Sequence, residues 1–137
     1  MIHNEEKIIE RFGHWPTFHD AEIRKAELIS IKDNYSKLEL EFYVYELTDE
    51  TNENGIFKTK NNTVATILFD GVRIDQWKWS SDLDTIFELK MNKVSGKDQN
   101  IYAYEVEMPS VVGGEYGLWF SCKNITVKNA VDYNGSR

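Results

Sequence analysis

The sequence predicts a single α+β domain in which antiparallel strands predominate and one short helix lies near the N-terminus. Three observations favour this fold class. Short runs of alternating apolar and polar residues recur at regular spacing between turn residues, as in antiparallel sheets. One early segment has its apolar residues at helical spacing instead. The chain has 137 residues, of which 41% are hydrophobic, which suits one buried core and one domain spanning residues 1–137.

The helix is predicted between Asn4 and Gly13. Ile8, Ile9 and Phe12 form an apolar stripe at spacings of one, three and four residues. Asn4 is expected to cap the first turn, because its side chain can accept a hydrogen bond from a free backbone N–H. Gly13 is expected to end the helix, since glycine readily takes the left-handed conformation found there.

About eight strands are predicted after the helix. The clearest alternation covers residues 38–45, which carry aliphatic groups and a phenylalanine on one face and Glu and Tyr on the other. Residues 21–31 are predicted to pair with them, and two phase slips there indicate bulges. Residues 46–62, rich in acids, are interpreted as a loop. The remaining strands are predicted at residues 63–69, 72–79, 86–94, 101–108, 118–122 and 125–131, with turns at 32–35 and 95–98 and a last hairpin across Lys123 and Asn124.

Charge and cysteine content restrict the class of protein. Twenty-three acids against 16 Lys and Arg give a net charge of −7, without a basic stripe, which argues against nucleic acid as a direct partner. Such acidity favours a basic protein partner, or serves solubility alone. Cys122 is the single cysteine, so no internal disulfide is expected, and its neighbours indicate a buried strand thiol. Residues 1–6 are polar and no apolar run approaches the roughly 20 residues that span a bilayer, so a cytoplasmic location is expected.

Residues 15–22 are the densest cluster of chemically distinctive side chains. His19 and Asp20 are adjacent, as in enzymes that use a His–Asp pair on a metal, and Glu22 would share a strand face with Asp20 as paired carboxylates. However, neighbouring strand residues point to opposite faces, and a metal site needs three or four ligands. We therefore expect neither a metal nor a cofactor. We interpret His19 as satisfying backbone groups at a corner and Asp20 as bracing the turn.

Two aromatic pairs are candidates for surface recognition. Trp77 and Trp79 lie two residues apart and would form a ligand platform if both were exposed, but a core position is the favoured interpretation. Tyr43 and Tyr45 alternate opposite an aliphatic face and are expected to be exposed. Tyrosines interleaved with carboxylates are suited to gripping a basic protein surface.

The segment Phe12-Gly13-His14-Trp15-Pro16-Thr17-Phe18-His19-Asp20-Ala21-Glu22-Ile23 resembles the opening signature of the immunity protein 50 family. In that family a Trp-Pro-Ser-Phe-His-Asp-Ala-Glu segment leads into a β-rich domain, and Thr17 keeps the hydroxyl of the usual serine. Residues 68–72 and 118–127 are similar to later strands of the family, so the resemblance spans most of the chain. The signature residues are Trp15, Pro16, Phe18, His19, Asp20 and Glu22.

The resemblance implies a bacterial cytoplasmic protein that binds a cognate polymorphic toxin and neutralises it by occlusion, without catalysis. Its partner would be a toxin domain, and a basic nuclease would match the acidic chain. No membrane partner is expected, and a monomer and a homodimer both fit. The residues we expect to face the toxin are Glu41, Tyr43, Tyr45, Glu46, Asp49, Glu50 and Glu53.

Two alternatives from other functional classes stay open. A small metal-dependent hydrolase would require His19, Asp20 and Glu22 to converge in a pocket. A ligand-binding β module would require Trp77 and Trp79 to be exposed together. The strand pattern is also compatible with two architectures, a β-sandwich and one strongly curved sheet.

Overall fold

The computed structural model describes residues 2–30, 36–79, 85–94 and 102–133. Within these ranges the chain forms one helix and eight strands, which confirms the predicted α+β class. The turns predicted at residues 32–35 and 95–98 lie outside the described ranges. The elements are α1 (Glu6–Phe12), β1 (Glu22–Ser30), β2 (Ser36–Thr51), β3 (Phe57–Asp70), β4 (Arg73–Lys78), β5 (Lys90–Lys93), β6 (Tyr104–Pro109), β7 (Gly117–Cys122) and β8 (Asn124–Asp132).

The described strands form two four-stranded antiparallel sheets that share one core. Sheet A has the order β1-β2-β3-β8, and sheet B has the order β4-β7-β6-β5. Apolar side chains from both sheets belong to one buried cluster. Phe69 of β3 and Phe120 of β7 meet edge to face across it, with ring centroids 4.9 Å apart. The architecture is therefore a β-sandwich and not a single curved sheet.

The chain passes between the sheets at two adjacent crossings. β3 in sheet A leads to β4 in sheet B through Gly71, and β7 in sheet B leads to β8 in sheet A through Lys123. The Lys123 N–H donates to the Asp70 carbonyl at 2.8 Å, which joins the two crossings. The predicted hairpin across Lys123 and Asn124 is wrong, because β7 and β8 belong to different sheets. In a sequence, two strands separated by a short gap look the same whether the gap is a hairpin turn or a crossing between sheets. Gly71 has a φ of +64°, and a Cβ there would lie 2.7 Å from the Lys123 side chain.

The helix begins differently from the prediction and ends as predicted. Its Ile8 and Phe12 are buried, and the Gly13 N–H donates to the Ile9 carbonyl from a left-handed conformation. The predicted Asn4 cap is wrong: the N-cap is Glu5, which makes no capping hydrogen bond through its side chain. Helix α1 is seven residues long, and no helix in the described ranges has the length and apolar composition to cross a membrane.

The two edges of sheet A differ. Beside β8, His3 forms a parallel bridge with Thr126, and its N–H and carbonyl both hydrogen-bond the β8 backbone at 2.9 Å. Beside β1, a bridge joins Glu22 to Thr85. Past Glu22, no described strand pairs with the outer edge of β1. Each edge of sheet A therefore carries one isolated backbone bridge, and no described strand pairs along the remainder of either edge.

The interpretation of residues 46–62 as a loop is wrong. β2 continues to Thr51, β3 begins at Phe57, and the two strands pair through Glu46 with Lys60 and Leu47 with Thr59. β1 pairs with β2 only as far as Tyr43, and β8 pairs with β3 only from Thr63 onwards, so the paired residues between 46 and 60 form a two-stranded ribbon. We call residues 46–60 the β2–β3 arm. The sequence indicates a loop here because the segment is acidic and lacks an alternating apolar face. Cross-strand pairs of polar side chains, such as Glu46 with Lys60, stabilise it as a ribbon.

Candidate functional site

The signature segment forms a tight corner between α1 and β1. Phe18 is 1% exposed, and its ring lies 5.6 Å from that of Trp15 and 5.3 Å from that of Phe42 in β2. Phe18 and Asp20 have φ values of +62° and +63°, which side-chain-bearing residues rarely adopt. These left-handed residues turn the chain sharply, so that Phe18 enters the core while His19 points away from it.

Backbone hydrogen bonds tie this corner to residues 85–89. The Asp20 N–H donates to the Ile86 carbonyl at 3.0 Å, and the Ile86 N–H donates to the Ala21 carbonyl at 2.9 Å. Thr17 receives the Leu89 N–H on its carbonyl, and its hydroxyl oxygen accepts the His19 N–H at 3.2 Å. The hydroxyl at position 17 therefore has a structural role at the turn, and the backbone of Asp20 braces it.

His19 and Asp20 form an exposed pair on the outside of the corner. His19 Nδ1 lies 3.1 Å from Asp20 Oδ2, and the imidazole meets the Phe87 ring edge on at 5.0 Å. Among the described residues, no hydrogen bond joins the His19 imidazole to a backbone group, so the expected backbone role of this side chain is not found there. In the described ranges no three His, Cys, Asp or Glu residues are grouped as a metal site. His19 and Asp20 line one cavity, and Glu22 does not. The structure therefore brings together two of the three candidate hydrolase residues.

A cavity of about 260 Å³ lies between the corner and the base of the β2–β3 arm. One wall consists of His14 and residues 16–20, and the other consists of residues 44–47 of β2. The structure therefore joins two groups of candidates that are far apart in the sequence. His19 and Asp20 of the signature face the same space as Tyr45 and Glu46 of the predicted toxin-facing set.

Glu46 is the least satisfied polar side chain at this cavity. Its Oε2 accepts the Asn61 side-chain amide at 3.3 Å and lies 3.7 Å from Lys60 Nζ. Its Oε1 is buried and has no hydrogen-bond partner in the described residues. Burying an unpaired carboxylate oxygen costs free energy, so this atom is a locally unfavourable feature of the cavity wall.

Tyr43 does not belong to the exposed surface. It is 3% exposed, its hydroxyl donates to Asn62 Oδ1 at 2.5 Å, and its ring stacks on that of Tyr133 at 4.3 Å. The expectation of exposure is wrong because the outer face of β2 is covered here by Tyr133, which also lies under Arg24. Tyr43 can therefore support the surface only from beneath. Tyr45, half-buried, lies 5.2 Å from the Tyr43 ring.

The other predicted toxin-facing residues are divided between the sheet and the arm. Glu41 is half-buried in β2, opposite Lys25 of β1, and lies outside the arm. Asp49, Glu50 and Glu53 are exposed on the arm. Glu50 lies 4.0 Å from Lys58, whereas none of the ion pairs formed by described residues includes Asp49 or Glu53. The arm therefore presents two carboxylates that no described lysine or arginine neutralises.

Three large apolar side chains on the arm were missed by the sequence reasoning. Leu47, Ile56 and Phe57 are 58%, 62% and 54% exposed. The dipeptide Asn54-Gly55 could have revealed the ribbon, because Asn-Gly between two runs is a strong hairpin signal. Exposed apolar surface of this kind marks interaction sites in folded proteins, and all three side chains belong to one two-stranded element.

Trp77 and Trp79 lie at a second cavity, of about 220 Å³, between β1 and β4. Trp77 is 44% exposed, so the interpretation of both rings as core is wrong for it. Trp79 is half-buried and packs against the core cluster. The two rings do not form a flat exposed platform, because Trp79 is held partly inside.

Comparison of the chain with protein-family models, with curated proteins and with solved structures gave no match. The function is therefore inferred from the residues of this chain, from their geometry and from the resemblance of the signature segment.

Proposed function

We propose that this protein is a bacterial immunity protein that binds a cognate polymorphic toxin in the cytoplasm and neutralises it by occlusion, without catalysis. The observation that carries the proposal is the exposure of Leu47, Ile56 and Phe57 on an ordered arm. An exposed apolar group on a paired ribbon loses little conformational freedom when it inserts into a partner. The resemblance of residues 12–23 to an immunity-protein signature supports the same conclusion.

The acids of the arm define the chemistry of the partner. Asp49 and Glu53 flank the apolar tip without a neutralising ion pair in the described residues. A toxin surface with an apolar pocket and a rim of Lys and Arg would match this arrangement, as at the nucleic-acid site of a nuclease. Charge complementarity of this kind speeds association and suppresses binding to other acidic proteins.

The test is protection of bacteria that express a candidate toxin domain from the same genome. We expect the variant Ile56→Ser/Phe57→Ser to lose protection, with toxin affinity lowered at least 100-fold in calorimetry, because central apolar anchors dominate interface energies. We expect reversal of Asp49, Glu50 and Glu53 to lysine to weaken binding at least tenfold.

The matched control is Val111→Ser/Val112→Ser, which removes two exposed apolar side chains from the turn before β7. It should protect as well as the native chain. Equal protection by the arm variants, with the fold intact by circular dichroism, would show that the arm is not the toxin-binding surface.

Stoichiometry separates occlusion from enzymatic detoxification. Occlusion requires one inhibitor for each toxin molecule, so titration of toxin activity should reach zero at a 1:1 ratio. The variant His19→Ala should titrate in the same way, since the hydrolase alternative alone gives the imidazole a chemical role. Detoxification at a small fraction of the toxin concentration would overturn the proposed function.

A further inference from the structure

The outer edge of β1 is open for most of its length in the described structure. The bridge from Glu22 to Thr85 covers only the first residue of the strand. At the opposite edge of sheet A, the backbone of His3 bonds Ile125 and Val127 of β8. Long edges with free N–H and carbonyl groups are templates for pairing with another strand, and natural proteins normally shield them.

The core-facing side of sheet A extends along β1 beyond the part that sheet B covers. Ala26 and Leu28 lie directly opposite Leu40 and Leu38, both 0% exposed, so all four belong to the core-facing side. Leu28 is nevertheless 52% exposed. The cavity that reaches Ala26 is closed on the sheet B side by Trp77, itself 44% exposed. The core therefore opens along β1.

The charges on the other face of β1 are complementary to a second copy of the same strand. Lys25 and Glu27 are 59% and 51% exposed and lie 3.8 Å apart. Glu27 also lies opposite Glu39 of β2, but Glu39 is paired with Lys128 of β8, so Glu27 is the carboxylate left facing outward. In an antiparallel pairing with Ala26 opposite its own copy, Lys25 of each strand lies opposite Glu27 of the other. A shift of that pairing by one residue in each strand would place Glu27 opposite Glu27.

We propose that the protein forms a homodimer in which the outer edges of two copies of β1 pair antiparallel about a two-fold axis at Ala26. The pairing joins the two copies of sheet A into one continuous sheet and covers Leu28 and the cavity beside Trp77. A two-fold interface must be self-complementary. The β1 edge meets this condition, because Lys25 of each copy lies opposite Glu27 of the other. The arm lies outside this interface, so the dimer leaves the proposed toxin-binding surface free, and the inference goes beyond the proposed function.

The test is sedimentation of the full chain across a range of concentrations. The native chain should sediment with twice the mass of one chain at tens of micromolar, a typical range for a modest interface. Lys25→Glu alone places Glu opposite Glu twice, and Glu27→Lys alone places Lys opposite Lys twice. Each variant should raise the dimer dissociation constant at least tenfold.

An equimolar mixture of these two variants gives the sharpest readout. The mixed pair again places Lys opposite Glu at both positions, so the mixture should form a heterodimer within about threefold of the native affinity. The double variant Lys25→Glu/Glu27→Lys should dimerise as the native chain does, which also controls for misfolding of a single variant. Lys93→Glu, an equal charge change on exposed β5, should leave the dimer unchanged.

A native chain that stays monomeric at the highest concentration would overturn the proposal and leave the β1 edge to an extended segment of a different protein. A mixture of the two single variants that fails to associate would also overturn it, because the Ala26 register predicts that association specifically.

Discussion

At the scale of single residues, the corner shows how a short segment can be chemically conspicuous for structural reasons. Phe18 and Asp20 hold left-handed conformations that cost about 1–2 kcal/mol each for residues with a side chain. Burial of Phe18 against Trp15 and Phe42 offsets that cost. The signature therefore combines an inward anchor with an outward His19–Asp20 pair, and the same strained backbone produces both.

Cys122 gives a prediction about stability at alkaline pH. Burial, with a smaller contribution from the Asp70 charge, raises the pKa of its thiol from 9.0 to about 12. Between these pH values the unfolded chain loses the thiol proton and the folded chain keeps it, so the free energy of unfolding falls as the pH rises. Cys122→Ala removes this contribution, and we expect it to cost about 1–2 kcal/mol at pH 7 and clearly less at pH 10.5.

The measurement is urea unfolding of both proteins at the two pH values. Tyr104 lies opposite Cys122, and burial raises its pKa as well. The Cys122 charge is the second cause of that rise, so Cys122→Ala also removes part of the Tyr104 contribution, in the same direction. An unchanged difference between pH 7 and pH 10.5 would contradict the assigned cause.

At the scale of elements, the sequence pattern was informative wherever one face of a strand is buried. The alternation of Leu38, Leu40 and Phe42 against polar neighbours correctly predicts the core face of β2, because all three are fully buried. The same alternation wrongly predicts an exposed Tyr43, since Tyr133, 90 residues away in the chain, covers that part of the outer face. An apolar–polar alternation identifies the two faces of a strand, but it does not show what packs on the outer face.

The candidate site could be predicted only in part, for a related reason. The signature segment is visible in the sequence, but its approach to Tyr45 and Glu46 depends on how the corner and β2 meet in space. The arm has no apolar face of its own to produce a clear alternation, so its strands were missed. The exposure of Trp77 likewise depends on the edge position of β4, which no local pattern contains.

Asn52 gives a prediction for the arm as an element. Its side-chain Oδ1 accepts the N–H groups of Asn54 and Ile56 at 2.9 and 3.0 Å, which orders the turn at the tip. Asn52→Ala removes both bonds, so we expect faster amide exchange throughout residues 46–60. We expect the thermal midpoint to change little, because no core residue lies in the turn. The measurement is hydrogen exchange by mass spectrometry.

Asn61→Gly is a suitable comparison, since Asn61 lies at the other end of the ribbon, and among the described residues its side-chain amide bonds Glu46. Its φ is +54°, which glycine adopts without strain. Faster exchange at the tip in Asn52→Ala but not in Asn61→Gly would confirm that the turn orders the arm. Equal exchange in the native chain and Asn52→Ala would contradict it.

At the scale of the whole molecule, the net charge of −7 acts on association as a long-range field. The acids on the arm lie where a partner first approaches, and the apolar residues among them make the final contacts. Electrostatic attraction therefore governs the rate of encounter, whereas burial of Ile56 and Phe57 governs the rate of dissociation. These two contributions respond differently to salt, which makes them separable.

The last prediction follows from that separation. The association rate constant for a basic toxin domain should fall at least tenfold between roughly 0.02 and 0.5 M salt, because screening shortens the field of exposed charges to a few ångströms. The dissociation rate should change much less. In the Asp49, Glu50 and Glu53 reversal variant, association should be slow at low salt and nearly independent of salt. Stopped-flow association of native and variant chains with an inactive toxin domain measures both rates. A native association rate that is equally insensitive to salt would mean that the acids of the arm do not guide the encounter, and that the toxin meets another face of the molecule.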